Sequence, residues 1–202
     1  MSKKQLPALL DRHWTEYVLA IMAVLISAIS LWIAIDTENT NRELVTEASW
    51  PFLQIYDSDG GGHGPLTVNI GNAGVGPAKI ETLEVFWKGR AYRSAAELLR
   101  DCCGFKETSV AAPDKTVASG HALGTSMAAG TVLRAGSDVP VITFALTPDD
   151  AAAWNAFNSV RGNITYRICY CSVFNECWLS NGQDLNPPRV KTCPQPQVPY
   201  TE

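Results

Sequence analysis

The chain has 202 residues, 46% of them hydrophobic and 18% charged, and its formal net charge is −4 at pH 7. This length provides one modest domain beside any membrane segment. The acidic balance argues against nucleic acid as a partner, because a phosphate backbone would repel such a chain.

An uncharged, mostly apolar run covers residues 17–35. As a helix rising about 1.5 Å per residue it is roughly 28 Å long, close to the bilayer's hydrocarbon thickness of about 30 Å. Lys3, Lys4 and Arg12 precede the run, and positive residues favour the cytoplasmic side. We therefore predict a cytoplasmic N-terminus at 1–16 and a transmembrane helix at 17–35. The run exceeds the h-region of a signal peptide, which favours an uncleaved anchor in the lipid bilayer.

Small residues recur inside this run at intervals of three and four. That spacing places them in one stripe along a helix. Membrane helices associate where small side chains let two backbones approach, so the stripe predicts a transmembrane partner helix, either a second copy or another protein. The residues of the stripe are Ala20, Ala23, Ser27, Ser30 and Ala34.

The pattern changes after the apolar run. Residues 36–49 contain no Gly or Pro, which favours a helical juxtamembrane stalk. From Trp50, short runs of alternating apolar and polar residues are separated by Gly, Pro, Asn and Asp, as in two packed antiparallel sheets. We predict a mainly β fold, an antiparallel β-sandwich over 50–185. Its predicted strands are 50–56, 66–70, 80–87, 131–133, 139–146, 163–171 and 177–179.

Two short helical inserts interrupt the predicted strands, at 94–102 and 148–158. Thr147 is the predicted N-cap of the second insert, with acidic residues following it at the positive end of the helix dipole. The tail 186–202 is rich in proline and is therefore predicted to be extended, strapped across the surface by Cys193.

Cysteines occur only after the predicted membrane helix, on the side where disulfides persist. Cys171 and Cys177 flank a short segment with the length of a hairpin turn, and we predict a bridge between them. The other four can then pair in three ways. The six candidates for disulfide bonds are Cys102, Cys103, Cys169, Cys171, Cys177 and Cys193.

A bond between the adjacent residues Cys102 and Cys103 would strain the peptide that joins them. We therefore expect these two not to bond each other. We expect instead that one of them pairs with Cys169 or Cys193.

A redox or metal site is the functional alternative for the cysteines. Cys169 and Cys171 lie two apart in a predicted strand and so share a face, and Cys177 can join them. Thiolates in such a group bind soft metals. No His or Met lies near them in sequence, and no Cys-x-x-Cys occurs. Disulfides are therefore the favoured interpretation, with no metal and no cofactor predicted.

One set of strings resembles the Asp, His and Ser motifs of subtilisin-like proteases. The strings are Asp57-Ser58-Asp59-Gly60, His63-Gly64 and Gly124-Thr125-Ser126-Met127-Ala128-Ala129. That family sets its triad in a large α/β domain and has Pro after the Ser motif, where this chain has Gly130. We interpret the strings as coincidental and predict no catalytic residues. The carboxylates of Asp57 and Asp59 with His63 are a weak metal site, because the glycines between them favour mobility.

A glycine-rich segment at 71–77 superficially resembles a phosphate cradle. A cradle needs a strand that leads into a helix N-terminus. Here predicted strands flank the segment on both sides, so we predict a turn whose glycines serve its backbone geometry.

Three motifs suggest a relationship. They are Trp50-Pro51, Asn69-Ile70-Gly71-Asn72-Ala73-Gly74-Val75-Gly76-Pro77-Ala78, and Tyr170-Cys171-Ser172-Val173-Phe174-Asn175-Glu176-Cys177-Trp178. Together they resemble uncharacterised bacterial single-pass membrane proteins with a periplasmic immunoglobulin-like β domain. The resemblance implies an immunoglobulin-like sandwich in the periplasm, anchored in the bacterial inner membrane. It implies no catalytic residues.

These observations predict a protein that works by contact, as a periplasmic interaction or accessory subunit of an inner-membrane complex. The alternative is a periplasmic thiol-redox or metal-handling protein that uses Cys169, Cys171 and Cys177.

Overall fold

The computed structural model describes residues 6–62, 64–106 and 123–201, with side chains from residue 14 onward. The chain divides into two compact units, Met1–Glu47 and Ala48–Glu202. We call the second one the β unit.

The first unit consists of one long helix, α1, at Leu6–Glu47. It includes the predicted membrane span at 17–35 and continues through most of the predicted stalk, since no Gly or Pro interrupts it after Pro7. All side chains from residue 14 to residue 45 are exposed. Among the described residues, α1 alone is long and apolar enough to cross a membrane. Its position and composition suit a membrane anchor or a signal sequence.

The described part of the β unit contains ten strands and two helices. In chain order they are β1 Leu53–Ser58, β2 Leu66–Asn72, β3 Ala78–Trp87, β4 Arg90–Tyr92, α2 Ala95–Cys103, β5 Leu123–Thr125, β6 Thr131–Leu133, β7 Asp138–Phe144, α3 Ala151–Val160, β8 Ile164–Cys171, β9 Cys177–Ser180 and β10 Arg189–Val190. A 3-10 turn lies at Gly60–Gly62 and another at Arg161–Asn163.

The strands form two antiparallel sheets. Sheet A has the order β1-β2-β7-β5, and sheet B has the order β10-β9-β8-β3-β4, with β6 also paired to β3. Buried side chains from both sheets and from α2 and α3 belong to one hydrophobic core, which includes Ile70, Leu83, Leu98, Phe144 and Phe157. The prediction of antiparallel sheets after an apolar helix is thus confirmed.

A register shift in sheet A follows from a proline. Asn69 of β2 pairs with Pro140 of β7, whereas the preceding Val68 pairs with Ile142, so Val141 is the extra residue of a bulge. Proline has no N–H to donate to a ladder, and it is tolerated in a strand beside such an irregularity. The predicted strand 139–146 therefore forms, but it ends at Phe144.

The two predicted helical inserts are present, with one difference in their starts. Ser94 caps α2 by accepting a hydrogen bond from the N–H of Glu97 at 3.2 Å. The second insert was predicted to begin at Pro148 with Thr147 as its cap, which is wrong: α3 begins at Ala151. The Thr147 hydroxyl instead accepts the N–H of Asp150 and donates to its carboxylate, which makes 147–150 a turn.

The C-terminal tail crosses the face of sheet B that points away from the core, which we call the outer face. In β8, Tyr170 belongs to the core, whereas the buried Cys169 and Cys171 do not, as alternation along a strand requires. Cys193 of the tail bonds Cys169 on this face. The prediction of a tail strapped by Cys193 is confirmed.

The tail ends at the opposite edge of the sheet, where it completes the core. The N–H of Tyr200 donates to the carbonyl of Leu83 at 2.9 Å, in the part of β3 that neither β4 nor β6 pairs. The Tyr200 side chain is only 2% exposed and belongs to the core. Its hydroxyl lies 3.4 Å from the carbonyl oxygen of Val141.

We expect Tyr200→Ala to lower the free energy of unfolding by about 3–5 kcal/mol, because it empties a large core site. Tyr200→Phe keeps the ring and loses one long hydrogen bond, so its cost is expected near 1 kcal/mol. Urea unfolding of the full chain in mild detergent, followed by tryptophan fluorescence, measures both. Equal losses in the two variants would contradict this role for the ring.

Candidate functional site

Several segments meet at one end of the β unit, the end that contains residues 49–52. We call this the Trp50 end and define it by the segments 49–52, 73–77, 132–137 and 172–176. Strand pairing places them together, because Lys79 near the start of β3 pairs with Cys171 at the end of β8 and with Val132 of β6. The Trp50 end is therefore built from residues up to 127 positions apart, from residue 49 to residue 176.

The side-chain amide of Asn72 organises this end. Its Oδ1 accepts the N–H of Phe52 at 3.2 Å and the N–H of Gly74 at 3.0 Å. Its Nδ2 donates to the carbonyl oxygens of Gly76 at 2.8 Å and Leu133 at 3.1 Å. Asn72 is 2% exposed, and three of its four partners, Phe52, Gly76 and Leu133, are buried, so these bonds satisfy groups largely shielded from water.

The glycines of the turn at 73–77 allow a close approach of two backbones. A Cβ on Gly74 would overlap the backbone of Trp50 to Phe52, and a Cβ on Gly76 would overlap Ser49. The Trp50 carbonyl accepts the N–H groups of Val75 and Gly76 at 3.0 and 3.1 Å. The segment joins β2 to β3 as predicted, with no helix after it, so it does not have the geometry of a phosphate cradle.

The hairpin turn between β8 and β9 is equally well fixed. Cys171 and Cys177 are bonded across it as predicted, with Cα atoms 4.0 Å apart. The Ser172 hydroxyl accepts the N–H groups of Phe174 and Glu176 at 3.2 and 3.3 Å. Asn175 takes a positive φ of 62°, a conformation that Asn tolerates better than most residues.

This rigid frame exposes apolar side chains. Val75 is 66% exposed, Val132 62%, Phe174 49%, Val173 48% and Trp50 39%. Five of the nine large apolar side chains exposed on the described β unit thus lie at this one end. Single exposed apolar residues need no explanation, but a group at one end indicates an interaction surface.

Charged and polar groups surround these side chains. The Lys79 ammonium donates to the Asn175 side chain, and Arg189 pairs with Glu176 at 3.2 Å. Arg134 is exposed in the connection from β6 to β7. An apolar centre with a polar rim is the usual composition of a protein–protein contact.

The cysteines form three bonds: Cys102–Cys103, Cys169–Cys193 and Cys171–Cys177. The expectation that Cys102 and Cys103 avoid each other is wrong. The physical reason is placement: α2 packs against α3 and β4, while the other four cysteines pair among themselves on the outer face. None of the six thiols is free.

The predicted metal alternative meets a specific obstacle. The sulfurs of Cys171, Cys177 and Cys193 lie within 4.8 Å of one another, close enough for one ion. All three are in disulfides, and metal binding needs thiolates. Two bonds would therefore have to be reduced before a metal could bind there.

A polar network holds α2 beside β4. Arg90 donates to Asp101 at 2.8 Å and to Glu97 at 2.9 Å. The Tyr92 hydroxyl donates to the same Asp101 carboxylate. Burial, then this hydrogen bond and the Asp101 charge, raise the pKa of Tyr92 to about 12. Tyr92 therefore stays a neutral donor over the whole physiological range.

The protease-like strings do not converge on a triad in the described residues. Asp57 and Asp59 both face Arg161, at 2.8 and 3.5 Å, so their charge is balanced by a guanidinium. Ser126 lies in the loop after β5. His63, which both the triad and the weak metal interpretation require, lies outside the described residues.

The small residues of the stripe lie along one face of α1. At about 100° per residue, its members fall within an arc of roughly 80°. They are all exposed within this unit, and the Ser27 hydroxyl donates to the Ala23 carbonyl at 2.8 Å. The stripe residues are Ala20, Ala23, Ser27, Ser30 and Ala34.

A shallow groove of about 550 Å³ lies at the opposite end of sheet B from the Trp50 end. Phe86, Leu179 and Pro188 line it together with Arg167. The Arg167 guanidinium pairs with Glu84 at 3.1 Å and lies 5.2 Å from the Phe86 ring centre. Arg167 is thus already paired, and the other charged residue lining the groove, Asp184, accepts hydrogen bonds from Asn181.

Sequence reasoning missed the apolar side chains of the Trp50 end. A usable signal was present: Val75 and Phe174 occupy turns, where polar residues and glycine normally predominate.

Comparison of the chain with protein-family models, curated proteins and solved structures finds no match.

We expect Asn72→Ala to lower the free energy of unfolding by about 3–5 kcal/mol, because it leaves buried backbone groups of three segments without partners. Asn69→Ala is the matched control. It lies on the same strand and is 9% exposed, but its amide makes one hydrogen bond, to Thr67 at 3.2 Å. Its expected cost is about 1 kcal/mol. Urea unfolding compares the two, and similar losses would contradict the central role of Asn72.

Proposed function

We propose that this protein is a single-pass membrane protein that works by contact, as an accessory subunit of a complex in the bacterial inner membrane. In this proposal α1 is the anchor, residues 1–16 are cytoplasmic, and the β unit is a periplasmic β-sandwich of the immunoglobulin-like kind. The shared core of the two antiparallel sheets supports the sandwich. The positive residues before the apolar run support the orientation.

The observation that carries the proposal is the group of exposed apolar side chains on a rigid frame at the Trp50 end. Such a surface binds with little loss of conformational freedom, which favours contact as its role. The charged and polar rim around the apolar side chains, with Lys79, Glu176 and Arg189, favours a protein rather than lipid hydrocarbon as the occupant of the surface.

Purification from native membranes in mild detergent, followed by mass measurement of the intact complex, tests the proposal. We expect a stoichiometric foreign partner. The double variant Val75→Asp with Phe174→Asp is expected to reduce recovery of that partner at least tenfold, because a buried unpaired charge costs more than the 1.4 kcal/mol of a tenfold change. Both side chains are exposed, so the fold is expected to persist.

Leu185→Asp is the matched control for this experiment. Leu185 is 76% exposed in the loop between β9 and β10, away from the Trp50 end. This variant is expected to keep the partner. A lone monomer, a homo-oligomer only, or equal recovery from both variants would contradict the proposed contact surface.

The stripe on α1 makes a separate prediction about association inside the membrane. Ala23→Leu with Ser30→Leu places bulk in the stripe and is expected to weaken any association of α1 by at least tenfold. Val18→Phe with Leu25→Phe adds bulk to the opposite face of the helix and is expected to leave it unchanged. Intact-complex mass after dilution in detergent measures both. Unchanged association in the first variant would contradict the stripe.

The alternative function is a thiol-redox or metal-handling protein using Cys169, Cys171 and Cys177. The sulfurs that lie close together are those of Cys171, Cys177 and Cys193, so their proximity supports only part of that set. Counting free thiols in the denatured, non-reduced protein distinguishes the contact function from this alternative. Six blocked thiols in protein taken directly from its membrane would contradict metal handling.

A further inference from the structure

The bond between Cys102 and Cys103 joins the last two residues of α2. Both residues are partly exposed, as is Cys193, whereas Cys169, Cys171 and Cys177 are buried, at 0%, 5% and 6% exposure. Cys102–Cys103 is thus the one bond of the three with both sulfur-bearing residues partly exposed, since each outer-face bond includes at least one buried cysteine. A reagent in solution therefore reaches it more readily.

This bond does not staple the fold. A disulfide stabilises chiefly by closing a loop in the unfolded chain, and the gain grows with the length of that loop. The outer-face bonds have sequence separations of 24 and 6, but Cys102 and Cys103 are neighbours and close no loop. Loop closure therefore accounts for two of the three bonds but not for Cys102–Cys103, whose residues contribute to the fold by packing against the core.

The helix around the bond is held by other contacts. Ser94 caps the first turn of α2. Phe105, which follows the last turn, donates its N–H to the Leu99 carbonyl. Gly104 supplies the left-handed C-cap at a φ of 68°. Leu98 and Leu99 are fully buried in the core. Opening the Cys102–Cys103 bond therefore leaves the anchoring of α2 in place.

We propose that Cys102–Cys103 is a reversible thiol–disulfide exchange site whose reaction partner is a protein dithiol on the same side of the membrane. The proposal is independent of the contact function above. A thiolate of the partner attacks one sulfur, forming a mixed disulfide and releasing the other sulfur as a thiolate, which takes up a proton. The partner's second thiolate then attacks the partner's sulfur in the mixed disulfide. This step releases the remaining cysteine of this chain as a thiolate, which also takes up a proton. The chain gains two thiols, and the partner leaves as a disulfide.

Graded reduction of the full chain in mild detergent tests this proposal. The protein is exposed to increasing dithiothreitol, alkylated, and mapped by peptide mass. We expect Cys102 and Cys103 to be labelled first, at a concentration at least tenfold below that which opens the outer-face bonds. At that stage the protein is expected to bind one phenylarsine oxide, a reagent that bridges neighbouring thiols.

Two double variants distinguish exchange from a structural role. Cys102→Ser with Cys103→Ser is expected to abolish both the early labelling and the arsenical binding, with an unfolding midpoint within about 2 °C of the parent. Cys171→Ser with Cys177→Ser removes a loop-closing bond and is expected to lower the midpoint by roughly 5 °C.

Reduction of all three bonds over one concentration range would overturn the proposal, as would opening of either outer-face bond first. A further contrary result is an unfolding midpoint that falls as far in Cys102→Ser with Cys103→Ser as in Cys171→Ser with Cys177→Ser. That result would assign the Cys102–Cys103 bond a structural role. The labelling order is measured on the unaltered chain, so the test stands even where a variant folds poorly.

Discussion

The amide of Asn72 is the contact on which the Trp50 end depends. A primary amide has two donors and two acceptor lone pairs, so one residue can satisfy backbone groups of several segments at once. Here it joins Phe52, the turn through Gly74 and Gly76, and Leu133 of β6. Aspartate would lack the two donors, and glutamine would be one methylene too long. The geometry therefore selects asparagine, and its glycine neighbours make room for the approach.

The β unit is closed by contacts that are distant in sequence. Cys193 attaches the tail to β8, and Tyr200 then fills a core position next to β3. A proline-rich segment often acts as an extended spacer. Here the tail is held on sheet B by the Cys169–Cys193 bond and by the hydrogen bond from Tyr200 to Leu83. The core therefore includes a residue, Tyr200, that the tail contributes after crossing the sheet.

The sequence predicted most features that rest on periodicity or on local spacing, except the start of α3 and the Cys102–Cys103 bond, and it missed several long-range contacts. The apolar helix, the long strands and the hairpin bridge follow from local patterns. The strands at Arg90–Tyr92, Leu123–Thr125 and Arg189–Val190 have two or three residues each, too few for alternation to show. Arg161 balances Asp57 across about 100 residues, a pairing that no local pattern contains.

The same contacts that stabilise the Trp50 end also prepare its surface for a partner. The backbone of Val75 is fixed by the Trp50 carbonyl, and that of Phe174 by the Ser172 hydroxyl, while both side chains point into solvent. Their exposure is therefore not a consequence of a loose turn. Holding apolar groups rigidly in water gains nothing for the free protein, but it lowers the entropy lost when they are covered. The hydrogen bonds around Asn72 thus serve both stability and recognition. The exposed side chains of Val75 and Phe174 serve recognition alone, so they can be replaced without disturbing those hydrogen bonds.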